Sequence, residues 1–153
     1  MRIIKTLLLT VTAGLLWSAG ARAADHPALP APVKSVYGHY LKIRASLAKD
    51  TMTGVAANAD AIAKAVQTDA KSLPAAVATE AETLARASKL KSARAAFKSL
   101  SNSLIQYLAD HKAKDAYVQV YCPMARASWL QADKNVDNPY LGQEMPTCGE
   151  IKN

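Results

Sequence analysis

The chain has 153 residues, half of them hydrophobic, with 19 Lys plus Arg against 12 Asp plus Glu and two cysteines. That length suits one domain and argues against a multidomain enzyme. The apolar content excludes a disordered chain, and two cysteines make at most one bridge, which excludes a disulfide-dense miniprotein.

In chain order, the first element is an export signal. Arg2 and Lys5 precede an apolar run from Leu7 to Trp17, and Ala21-Arg22-Ala23 puts small residues where a signal peptidase reads. The run is short for a bilayer crossing, which takes about 20 residues. Residues 1–23 are therefore expected to be cleaved, leaving a periplasmic protein without a membrane segment. Cleavage removes Arg2, Lys5 and Arg22 and no acid, so 16 basic and 12 acidic residues remain. A net charge near +4 is ordinary surface, and no basic cluster with interleaved aromatics follows, so nucleic acid is rejected as a partner.

Residues 24–31 read as a proline-marked extended lead-in. Within residues 32–115 four apolar stripes recur at steps of three and four, each the face of an amphipathic helix. The first is Val33, Val36, Tyr40, Ile43 and Leu47. The second is Val55, Ala59, Ile62, Val66 and Leu73, with Asp50 or Thr51 as its expected cap. Pro74 opens the third, marked by Val77, Ala81 and Leu84. The fourth is Leu90, Ala93, Phe97, Leu100, Leu104 and Tyr107. Residues 56–96 hold 16 alanines, which favour helix and close approach. The expected fold is all-α: an antiparallel four-helix bundle with a short extended segment and an irregular C-terminal tail packed on it. The extended segment is Ala116 to Tyr121, rich in β-branched and aromatic residues. It opens a region, residues 116–153, in which Pro123, Pro139, Pro146, Gly142 and Gly149 keep regular structure short.

Both cysteines lie in that tail, each near a methionine: Cys122 with Met124, and Met145 with Cys148. Folding the tail back would gather four soft donors, and thiolate plus thioether ligands select monovalent copper or silver. Composition alone favours a Cys122–Cys148 disulfide over that site, because the compartment is oxidising and the bridge would stabilise the fold by about 3.5 kcal/mol in the chain-entropy model. The residues alone leave both readings open. His26, His39 and His111 are scattered without ligand spacing. No enzymatic activity is expected: Glu144 and Glu150 have no evident catalytic partner, Glu80 and Glu82 suit the solvated side of the third helix, and no histidine adjoins either cysteine in sequence.

The run Tyr121-Cys122-Pro123-Met124-Ala125, then Trp129-Leu130, Asn138-Pro139-Tyr140, Gly142, Met145 and Cys148-Gly149, resembles the end signature of a bacterial family, the domain of unknown function numbered three-three-four-seven. Ala93 and Arg94 through Phe97 to Leu100 and Ser101 resemble its fourth-helix region, and the likeness extends over about residues 32–151. Members occur as small exported proteins and as a module of adaptor proteins in copper and silver efflux. The resemblance thus implies a periplasmic soft-metal binding protein that buffers monovalent copper or hands it to an efflux component. Its ligands would be Cys122, Met124, Met145 and Cys148. Trp129 and Asn138-Pro139-Tyr140 would be the scaffold that folds the tail back. The spacer before Trp129 is shorter than is usual in the family, which alters loop length and not the donors. A non-enzymatic structural or interaction module of the envelope, with the cysteines bridged, remains the alternative.

Overall fold

The computed structural model describes residues 29–152. The expected signal, most of the lead-in and His26 lie outside the described residues. Four helices come first: α1 (Ala31–Ala48), α2 (Val55–Thr68), α3 (Ala75–Ala85) and α4 (Leu90–Asp110). Three strands follow: β1 (Val118–Cys122), β2 (Ala127–Gln131) and β3 (Glu150–Ile151), with single 3-10 turns at Lys114–Ala116 and Gly142–Glu144.

Local chemistry sets the helix ends. Proline stands in the first turn of α1, where a missing N–H removes no helical bond, and Pro74 immediately precedes α3. α2 starts after Gly54 at φ 74, a left-handed position, and the Asn58 side chain donates back to the Gly54 carbonyl. Asp50 and Thr51 do not cap this helix as expected. Asp50 is drawn instead to Arg94, and Thr51 bonds Thr53. α4 is closed by Lys112 at φ 54, which lets the Ala113 N–H reach the Leu108 carbonyl.

Every residue of the first three apolar stripes is buried, and so is the fourth from Ala93 onward; Leu90 is partly covered. Each helix packs on the next. The ends of the series meet as well. Tyr37 Oη donates to Leu104 O at 2.7 Å, Tyr40 Oη meets Ser101 Oγ at 2.8 Å, and Leu47 O accepts from Arg94 Nη2 at 2.9 Å. Partners step forward along α1 as they step back along α4, so these two helices run antiparallel.

The all-α expectation is corrected. The tail carries a three-stranded antiparallel sheet in the order β2-β1-β3, with Val118 opposite Gln131, Cys122 opposite Ala127 and Val120 opposite Ile151. The expected extended segment is β1. The second strand was hidden because its hairpin turn, Pro123 to Arg126, contains no glycine or asparagine. Arg126 itself takes φ 46. β2 lies across α4 and α1 and sends Trp129 and Leu130 into the same core as the helices.

Candidate functional site

Three fastenings turn the tail into a fixed surface. The first is covalent. Cys122, at the end of β1, is joined to Cys148 by a disulfide whose Cα atoms are 5.7 Å apart. The two-cysteine count therefore resolves, in this structure, to the bridge.

The second fastening is Asn138, fully buried in a segment with no regular structure. Its Nδ2 donates to Cys148 O at 2.7 Å, and its Oδ1 accepts from Tyr140 N at 2.8 Å and Leu141 N at 3.0 Å. Its backbone N–H donates to Pro146 O, and its carbonyl accepts from Gly142 N. One amide side chain thus satisfies three backbone groups that the irregular chain would otherwise leave unpaired.

The third is a set of charges on α1, the turn after it and α4. Arg94 donates through Nε to Pro139 O at 2.8 Å, and through Nη2 to Leu47 O and the Asp50 carboxylate. Asp50 accepts in turn from Gln143 N at 3.1 Å, while Gln143 Nε2 donates to Ala48 O at 2.8 Å. The hydrogen bond from Arg94 holds the Asp50 carboxyl below its ordinary range, helped by the Gln143 N–H. Gly142 sits against this pair at φ 55, and a Cβ there would fall on Asp50 Oδ1 and Arg94 Nη2. Arg44 donates to both the carboxylate and the carbonyl of Asp137.

Beneath these lies a hydroxyl chain. Leu130 N–H donates to Tyr40 Oη at 3.1 Å, and Tyr40 Oη is 2.8 Å from Ser101 Oγ. Tyr140 Oη is 3.2 Å from Ser101 Oγ and donates to Ser128 O at 2.8 Å. A phenol has one proton, and only that proton can serve the carbonyl, so Ser101 supplies the proton toward Tyr140. Each member then donates once, from Leu130 to Ser128. Burial pushes the Tyr40 and Tyr140 hydroxyls well up, so both stay protonated. The rings of Tyr40 and Phe97 stack with centroids 4.8 Å apart, and Tyr140 meets Trp129 edge-on at 5.9 Å.

Of the four expected metal ligands, Cys122 is fully buried and Cys148 partly so. Met124 is 68% exposed and Met145 38% exposed. In the bridged chain the sulfur set does not offer four donors: neither cysteine has a thiolate to give, and two thioethers remain. Among the described residues, no group of three or more His, Cys, Asp or Glu is arranged to hold a metal ion. His39 Nδ1 pairs with Asn58, and His111 bonds the Tyr107 carbonyl at the end of α4. Glu80 is only half solvated, with Oε1 accepting from Ser103 and Oε2 buried without a partner. Glu150 pairs with Lys152.

The family model described as "Protein of unknown function (DUF3347)" matches residues 36–116. The chain belongs to that family. The DUF3347 match runs from α1 to the 3-10 turn after α4 and stops before β1. It thus covers most of α1 and all of α2 to α4, and not the tail signature or any of the four sulfur residues to which the expected likeness extended, although the tail is fastened to matched residues Tyr40, Arg44, Asp50, Arg94 and Ser101. No curated protein and no solved structure matches.

Reasoning from sequence named Asn138, Tyr140 and Trp129 but missed Arg44, the outward role of Asp50, and the joint served by Gln143. One signal was available. Ser101 stands on the apolar face of α4 between Phe97 and Leu104, and a small hydroxyl in a core calls for polar partners.

Proposed function

We propose that this chain is a non-enzymatic module of the bacterial envelope in which the helices are the scaffold and the bridged tail is the contact surface. One observation supports this most directly. The exposed large apolar residues among those described are Met124, Met145 and Ile151, and all belong to the tail. Each lies within three residues of Cys122 or Cys148 along the chain. A surface already held by a covalent bond and a buried amide loses little conformational freedom when a partner covers it. The bridge itself suits an oxidising compartment, in keeping with the export signal read at the N-terminus.

The test is site-specific photocrosslinking in cells. A photoreactive residue at position 124 should yield a defined adduct with another envelope protein, and one at the exposed position 64 on α2 should not. Equal yields at the two positions, or none at 124, would remove the contact-surface reading. Mass spectrometry of the protein purified without reductant adds a second check: the bridged mass should be two hydrogens below the dithiol.

The exposure of both thioethers favours a second reading, in which the tail carries monovalent copper or silver as cargo for a periplasmic efflux component. Met124 and Met145 would serve with Cys122 and Cys148 as thiolates, which requires the reduced chain. Anaerobic titration of reduced and bridged protein with monovalent copper separates the cases. This reading expects tight binding by the reduced form only, weakened in Cys122→Ser and Met145→Leu. Unchanged affinity in those variants discards the ligand set.

A further inference from the structure

The two sulfurs of the bridge are not equivalent. Cys122 is fully buried at the end of β1, and Ala125 N–H donates to its Sγ at 3.4 Å across the hairpin turn. Cys148 is partly exposed and follows three exposed residues, Met145, Pro146 and Thr147. Thiol–disulfide exchange depends on which sulfur can be reached and on how well the departing thiolate is stabilised. Accessibility selects attack at Cys148, and the Ala125 N–H offsets part of the desolvation cost of leaving a thiolate on buried Cys122.

We propose that the Cys122–Cys148 bridge is a native-state exchange site for a dithiol reductant, attacked at Cys148, with Cys122 as the leaving thiolate. The first thiolate of the reductant forms a bond to Cys148 Sγ as the Cys122–Cys148 bond breaks, and the electron pair departs on Cys122 Sγ. There the Ala125 N–H is already in place to stabilise the charge. The second thiol of the reductant then attacks its own sulfur in the mixed disulfide and releases Cys148. The reductant is oxidised by two electrons to its disulfide, the bridge gains them, and the two protein thiolates take up protons from solvent. Opening need not disturb the helices, because residues 137–143 are tied to α1 and α4 by Arg44, Arg94, Asp50 and Gln143. Beyond them, β3 is only two residues long. This inference rests on the bridge alone and not on the contact-surface reading.

The experiment incubates the bridged full chain briefly with glutathione, a monothiol whose adduct marks the attacked sulfur before a second glutathione or the freed thiolate displaces it, then quenches with acid and maps the adducts by peptide mass spectrometry. Arg126 and Lys134 place the two cysteines on separate tryptic peptides. In native buffer the glutathione should sit on Cys148 over Cys122 by at least about tenfold, and in urea the ratio should fall toward one. A native ratio equal to the urea ratio overturns the proposal, as does a preference for Cys122. Reduction that proceeds no faster than global unfolding, measured in parallel by circular dichroism, overturns it as well.

Discussion

At the residue scale, several side chains at the joint between tail and helices serve backbone groups. Asn138 is the clearest case. Its replacement by Ala would leave Cys148 O, Tyr140 N and Leu141 N without their partners. We expect Asn138→Ala to cost about 2–4 kcal/mol, read as a lower urea midpoint with unchanged slope. Asp50 gives a pH test. Its carboxyl titrates below the ordinary aspartate range in the folded chain because Arg94 hydrogen-bonds its charged form. The unfolded chain therefore takes up the proton first as pH falls. Asp50's contribution is complete above its unfolded value and is lost as pH drops through its lower folded value. The stability gap between the parent and Asp50→Asn should thus be widest near neutrality and shrink as pH falls below the ordinary aspartate range, followed by thermal melts across that range. A gap independent of pH would mean that the Arg94–Asp50 contact contributes through shape and not charge.

At the element scale, β2 and its tyrosines decide how the sheet is finished. The Leu130 N–H and Ser128 carbonyl would otherwise be unpaired edge groups, open to pairing with another chain. Tyr40 and Tyr140 close them with hydroxyls. Tyr40→Phe keeps the ring on Phe97 but strands the Leu130 N–H, so it should cost about 1–3 kcal/mol. The loss should be less than additive with Tyr140→Phe, because both act through Ser101; a double-mutant cycle measures this. The helices of this fold were legible because their burial follows a single period, and the stripes named from sequence are the ones that pack. Tyr37 escaped the first stripe because α1 is covered from more than one side: its ring stacks on Tyr117 from the turn before β1 while its hydroxyl reaches α4. The sheet was half legible. Val118, Val120 and Tyr121 announce β1, but Ala127 and Ser128 carry little strand preference, and a two-residue β3 has no periodicity to read. Of the site, the cysteines, Asn138 and Tyr140 could be named in advance. Asp50 could not be placed: near a helix start an aspartate reads as a cap, and only the returning chain brings Gln143 and Arg94 to it.

At the scale of the whole molecule, the bridge joins residues at a sequence separation of 26, and its reduction should lower stability by up to about 3.5 kcal/mol in the chain-entropy model. Because one core unites all four helices with β1 and β2, the reduced chain should still fold. Hydrogen exchange should show α1 to α4 protected and amides 145–152 exchanging faster than in the bridged form. Loss of protection everywhere at once would make the bridge a condition of folding. The hydroxyl chain also crosses the boundary of the family match. The family match ends at Ala116, yet Tyr40 and Ser101 inside it are completed by Ser128, Leu130 and Tyr140 beyond it. A gene rearrangement that respected the recognisable boundary would sever a buried polar circuit. A fragment cut after Ala116 would leave the Tyr40 and Ser101 hydroxyls with none of Ser128, Leu130 and Tyr140 to complete them.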